Sequence, residues 1–183
     1  MVYDFASSHH LSKHMDMQQA DLLHRIYPGR RAELKRILLQ HALECFAEFG
    51  IEATSIEMIR ERSGASVGAI YHHFKHKEGL VAALYVCAIE DQAERRDQVL
   101  QSAQNLQQGI QIIIASYIDW VMDYPDFARF LYAAHFSISK SAQQEELKQK
   151  NAARNQHLLA WMKQQPDYAV IQQVPHELFL SLM

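Results

Sequence analysis

The sequence predicts an all-α fold, on three observations. Only 6 Gly and 4 Pro are spread over 183 residues, too few breakers for a many-turned sandwich or barrel. Apolar residues recur at spacings of three, four and seven from about Leu34 to Phe136. The composition, 49% apolar and 21% charged, is that of a chain that folds around a core and excludes wholesale disorder.

Residues 1–29 lack steady periodicity and hold His9, His10, His14 and His24. They end in Tyr27-Pro28-Gly29, a turn signal. The segment reads as a flexible N-terminal extension, with a short helical stretch near Met17 to Ile26 and a start that a cloning remnant or an over-early start codon would explain. From Arg30, Leu34, Ile37, Leu38, Cys45, Phe46 and Phe49 mark one helix face, and Gly50 ends it. Thr54 with Glu57 three residues on has the form of a capping box, so a second, short helix is expected from near Ser55 to Ser63-Gly64-Ala65. A third fits Ser66 to Phe74, with Ser66 as its N-cap. After the polar break Lys75 to Lys77, a long helix runs from Glu78 to about Ser102.

Ile110, Ile113, Ile114, Tyr117, Ile118 and Val121 form the next apolar stripe, ended at Tyr124-Pro125. Pro125 opens an aromatic helix with Phe127, Phe130, Leu131 and Phe136. A polar helix is expected from about Ala142 to Lys163, then a connection around Pro166, then another helix from near Pro175.

Charge does not announce a polyanion partner. The net charge is −3, and the stretch Pro28 to Leu80 carries eight Lys/Arg against seven Asp/Glu. Two cysteines, Cys45 and Cys87, cannot frame a disulfide scaffold and read as small buried hydrophobes in a reducing compartment. No apolar run approaches the ~20 residues that span a bilayer, and no secretory signal is visible. The expected location is cytoplasmic. The chain has no G-x-S-x-G, Walker loop, dinucleotide glycine motif, H-E-x-x-H or paired Glu-x-x-His, so no catalytic residues and no cofactor are expected. His72 and His76 stand at a metal-ligand spacing without evident further ligands, and no metal is expected.

Residues 54–74 carry the information. Two short helices around a tight glycine-containing turn are the sequence form of a helix-turn-helix, whose second helix enters the major groove. Spacing alone favours an ordinary αα-hairpin over DNA recognition. In the DNA-binding reading, Ser66 sits beside exposed helix N–H groups that suit phosphate. Gly68 and Ala69 let the helix come close, Tyr71 and His72 follow one turn later, and Lys77 meets the backbone on the flank.

The motifs Thr54-Ser55, Ile59, Gly64-Ala65-Ser66, Gly68-Ala69-Ile70-Tyr71-His72-His73-Phe74 and Lys77-Glu78-Gly79-Leu80 resemble the N-terminal DNA-binding domain of the tetracycline-repressor (TetR) family. Ala42, Phe46, Phe49 and Gly50 match its first helix, and the resemblance covers about residues 30–80. Departures are small: Ser55 for a second Thr, Ala65 for Val, and Val67 where a polar or basic residue is frequent. Val67 exchanges a phosphate contact for a thymine methyl.

The resemblance implies a helix-turn-helix domain over 30–77 and a helical ligand-binding and dimerisation domain over 78–183. It implies a homodimer that binds a palindromic double-stranded DNA operator and is released by a small effector. Thr54, Ser55, Tyr71, His72 and Lys77 are the implied phosphate contacts; Ser66, Val67, Gly68 and Ala69 face bases. The implied pocket draws on Tyr117, Trp120, Val121, Phe127, Phe130, Leu131, His135 and Trp161, with Asp119, Trp120 and His135 as polar handles. That lining suits a hydrophobic or aromatic effector. Family chains usually end in two long helices that pair with their twins, and here Val174 to Met183 reads as only the first turns of that region, a truncated C-terminus or a different dimer surface. The rival reading is a helical ligand-binding or scaffold protein with a vestigial hairpin, and binding to duplex DNA separates the two.

Overall fold

Strong helix formers fill Glu33–Phe49, and a glycine stands where that run must stop. The computed structural model describes residues 20–138 and 144–171, and every regular element among them is helical. The elements are α1 (residues 20–26), a 3₁₀ turn Arg30–Ala32, α2 (Glu33–Phe49), α3 (Ile56–Ser63), α4 (Val67–Phe74), α5 (Lys77–Leu100), α6 (Leu106–Asp123), α7 (Pro125–Ile138), α8 (Gln144–Lys163) and α9 (Tyr168–Ile171). The expected helix at Pro175 and the C-terminal region lie outside the described residues, as do residues 1–19. No described helix is long and apolar enough to cross a membrane.

The described residues form two compact units. One takes its residues from Met1–Ile89 and Asp123–Ser141, the other from Glu90–Met122 and Ala142–Met183. The division falls within α5, so that helix contributes to both.

In the first unit α2 is the central element, in contact with α3 and α7. It buries Leu38, Leu39, Ala42, Leu43, Cys45 and Phe46. The sequence expectation is corrected here: Leu34, Ile37 and Phe49 are exposed, and Leu39 and Leu43 take their place in the core. The periodicity alone could not choose between two overlapping apolar stripes. The choice comes from tertiary packing: α3 and α7 both lie against α2, and the Phe130 ring of α7 stacks on Phe46, which both stripes share, with centroids 5.8 Å apart.

Residues 20–29 are not a loose extension. Leu22 and Leu23 are buried, and Arg25 Nη2 donates to the Tyr124 hydroxyl at 2.9 Å. Arg36 Nη1 donates to the carbonyls of Tyr27 at 2.6 Å and Gly29 at 2.8 Å, which fastens the turn to α2. Lys35 Nζ lies 3.7 Å from the centroid of the Tyr27 ring, and burial lowers its pKa.

In the second unit, Leu100, Leu106, Leu158 and Met162 form a buried cluster flanked by Ile110, Trp161 and Tyr168. Asn105 Oδ1 accepts from Gln108 N at 2.9 Å and so caps the start of α6. Asp167 Oδ1, far along the chain, accepts from Leu106 N at 3.3 Å and fills a second orphan donor there.

Candidate nucleic-acid interface

The hairpin α3–α4 is built from local caps. Gly50 closes α2 at φ +80°, its N–H bonded to the Phe46 carbonyl at 2.9 Å. Ser55, not Thr54, is the N-cap of α3: its Oγ accepts from Met58 N at 3.2 Å, and Met58 Sδ accepts from Ser55 N at 3.4 Å. The capping box is therefore shifted one residue from the expected Thr54–Glu57 pair. Gly64 ends α3 in the left-handed region at φ +67°, its N–H returning to the Arg60 carbonyl at 2.9 Å. Ser66 caps α4 as expected, with Oγ accepting from Ala69 N at 3.1 Å.

The far end of α4 is held more tightly. Lys75 has φ +65° and ψ −45°, and His76 N donates to the Phe74 carbonyl at 2.7 Å. This is the geometry of a γ-turn, which a side-chain-bearing residue adopts only at some cost. The turn brings α5 back at once. A Cβ at Gly79 would stand 2.0 Å from the Phe74 carbonyl oxygen, so the first turn of α5 packs against the last of α4 only because position 79 lacks a side chain.

These contacts fix which side of α4 faces outward. Ile70 and Phe74 are buried, while Val67 at 37%, Tyr71 at 50%, and Ser66, Gly68 and His72 are exposed. Positions 67, 68, 71 and 72 make one strip along a helix. At Gly68 an added Cβ would meet only Ser66 Oγ at 3.9 Å. Nothing inside the fold asks for a glycine there. Ala69 is half-buried at the strip's edge.

The other three expected contacts have internal tasks. Thr54 is buried, and its hydroxyl is placed to donate to the carbonyls of Gly50 at 2.7 Å or Cys45 at 3.2 Å. Ser55 is half-buried and spends its hydroxyl on the α3 cap. Lys77 Nζ donates to the carbonyls of Ile51 at 2.9 Å and Glu52 at 3.0 Å, tying the α2–α3 turn to the start of α5. Lys75, exposed at the end of the strip, is a cation that the sequence pattern marks only as part of a polar break. Its only signal was its position directly after the second helix of the hairpin.

The expected pocket residues divide between the units. Phe127 and Phe130 are core of the first unit, where Leu131 is half-buried and His135 exposed. In the second, Trp120 is 0% exposed and its Nε1–H donates to Asp91 Oδ2 at 3.0 Å. Trp161 lies over Gly109, where a Cβ would stand 2.0 Å from its ring, and Val121 is half-buried. Tyr117 lines a cleft together with Gln92, Arg96, Ile113 and Ser116. Gln92 and Arg96 lie in the stretch that reads as merely polar in sequence.

Comparison with known proteins agrees with the hairpin. Residues 38–84 match the family model described as bacterial regulatory proteins, tetR family. The chain is 42% identical over 65 residues to the HTH-type transcriptional repressor AcnR of Corynebacterium glutamicum, covering 36% of this chain and 33% of that one. It is 34% identical over 76 residues to the HTH-type transcriptional repressor KstR2 of Mycolicibacterium smegmatis, covering 42% and 37%. It is 32% identical over 89 residues to the Transposon Tn10 TetC protein of Escherichia coli, covering 47% and 43%. The matched region thus spans between a third and a half of these relatives' length. The capped hairpin with its outward-facing second helix lies within residues 38–84, the segment that matches the tetR family of bacterial regulatory proteins.

Proposed function

We propose that the chain is a sequence-specific DNA-binding transcriptional regulator, a repressor released from a palindromic operator by a small effector, and not an enzyme. The carrying observation is the strip Val67-Gly68-Tyr71-His72, exposed on a helix whose other side is buried, with a glycine that the fold itself does not need. A helix bearing so little side chain at its outward N-terminal turn suits close approach to base edges in a major groove. Repression is favoured because AcnR and KstR2 are named repressors.

In this reading α4 is the groove helix of a reading head over residues 30–77. Ser66, Val67, Gly68 and Ala69 face bases, and Tyr71, His72 and Lys75 reach phosphates. Thr54, Ser55 and Lys77 act by shaping the hairpin. Residues 78–183 bind the effector and pair two copies, so that two heads sit about 34–36 Å apart on successive grooves. α5 begins three residues after α4, and its residues fall in both units. An effector that favours one placement of α5 changes the spacing of the heads and releases DNA in proportion to its preference for that state. The site of action is the cytoplasm, where the chromosome lies.

The test is selection of bound duplexes from a random-sequence pool, followed by a salt titration on the selected site. A palindromic site bound with an affinity that falls steeply with salt is expected. Recovery of no preferred sequence, or identical binding by Tyr71→Ala, would count against the reading.

A further inference from the structure

From Ser66 to Phe74 the chain contains no Arg, Lys, Asn, Gln, Asp or Glu. Those six residue types are the ones that read guanine, adenine and cytosine edges through charged or paired polar groups. The exposed strip of α4 offers different chemistry. Val67, its first residue, is 37% exposed, and next to it an added Cβ at Gly68 would meet only Ser66 Oγ at 3.9 Å. Ser66 Oγ already accepts from Ala69 N at 3.1 Å, so the hydroxyl is committed to the cap. Ala69 is half-buried, which leaves Val67 as the larger exposed apolar group of this turn. Tyr71 stands one turn further along the same strip.

We propose that Val67 is a specificity-determining residue that selects a thymine in each half of the operator, its isopropyl group packed on the thymine C5-methyl. The proposal rests on the regulator reading and names the base chemistry that α4 selects. In the major groove thymine alone among the four bases presents a methyl group; cytosine has a bare C5–H beside an amino donor. A valine offers nothing to a base donor or acceptor. Packed on an amino or keto group, it would strip water from that group without replacing the hydrogen bond. Packed on a methyl, it removes apolar surface from water on both sides. The missing side chain at Gly68 lets the first turn of α4 descend far enough for so short a side chain to reach a base edge.

The branched side chain also keeps its methyls in place. Valine is stiff at χ1 and loses little rotamer freedom on contact, unlike a long polar reader. Tyr71 and His72 lack the paired groups that hold one base at two points, so they stay with the phosphates. A buried methyl is worth about fourfold in affinity, and a palindrome read by two copies carries the contact twice, for about 15-fold in all.

The test uses the full chain at fixed salt and the duplex selected from a random-sequence pool. Each thymine of that site, with its symmetry mate, is replaced in turn by deoxyuridine, which deletes the methyl and keeps every hydrogen-bonding group. At one pair the affinity should fall at least fivefold. Val67→Ala should bind the thymine duplex at least fivefold more weakly than wild type. At that same pair it should prefer thymine over uracil by less than twofold, which ties the methyl to Val67 rather than to another side chain. Its salt slope should match that of wild type, because the lost contact carries no charge. Circular dichroism checks folding, and if Val67→Ala does not fold, Val67→Ser is taken through the same cycle. A selected site without thymine overturns the proposal. So does tolerance of deoxyuridine at every position, or a thymine preference in the folded variant equal to that of wild type. In each of those cases the selected duplex leaves the regulator reading standing, whereas recovery of no preferred sequence overturns both.

Discussion

The Trp120 indole N–H donates to Asp91 Oδ2 at 3.0 Å across α6 and α5, and both side chains are buried. Burial of a carboxylate is tolerable only where hydrogen bonds replace water. Trp120 is therefore a fastening between two helices of the second unit rather than a polar handle offered to a ligand. Trp120→Phe keeps most of the ring and deletes the donor. It should cost about 1–3 kcal/mol in chemical denaturation. An unchanged denaturation midpoint would mean that the bond contributes nothing to folding.

Gly68→Ala separates folding from DNA recognition. An added Cβ meets open space apart from Ser66 Oγ at 3.9 Å, and Ala in a helix is favoured over Gly by about 1 kcal/mol. Thermal stability should hold or rise by a few degrees, while affinity for the selected duplex falls at least tenfold. Equal affinity would show that this part of α4 does not approach DNA closely.

Gly79→Ala should do the reverse of a harmless substitution. The new Cβ would fall 2.0 Å from the Phe74 carbonyl oxygen, a backbone atom that cannot rotate away. The junction of α4 and α5 must then shift, at about 1–3 kcal/mol, as for overpacked sites. Calorimetry should report a lowered Tm together with weaker DNA binding, and wild-type stability would contradict the close packing described.

Lys75 and Lys77 should behave oppositely despite similar charge. Lys77→Met removes an ammonium that holds the Ile51 and Glu52 carbonyls and should lower stability by roughly 1–2 kcal/mol. Lys75→Ala should leave stability unaltered or slightly changed, and reduce the salt slope of duplex binding by about 1. Matching salt slopes for Lys75→Ala and wild type would remove Lys75 from the phosphate contacts.

Burial raises the pKa of the Cys45 thiol. A thiol raised in the folded state contributes stability below its unfolded pKa and loses it as pH climbs from there through the folded value. Stability of the wild-type chain should fall more steeply above pH of about 9 than that of Cys45→Ala. Parallel pH profiles for the two would show that the thiol has the same pKa folded and unfolded.

The sequence by itself determined several of the helix ends. Gly50, Gly64, Ser66 and Pro125 stand at the observed ends, because a cap closes its hydrogen bond within four or five residues and needs no distant partner. The outward strip on α4 was legible for the same reason: eight residues offer one short apolar side, Ile70 with Phe74, and the opposite side follows from helix geometry. Tertiary structure decided what burial and long-range hydrogen bonds decide. The packing of α3 and α7 selects which stripe of α2 is core, the Ile51 and Glu52 carbonyls claim Lys77, and Asp91 claims Trp120. The Phe74 carbonyl dictates a glycine at position 79. Arg96 reads as one more charge on a polar stretch until α6 closes over it. Whether such a side chain meets water or another chain segment depends on residues tens of positions away, and no local pattern carries that distance.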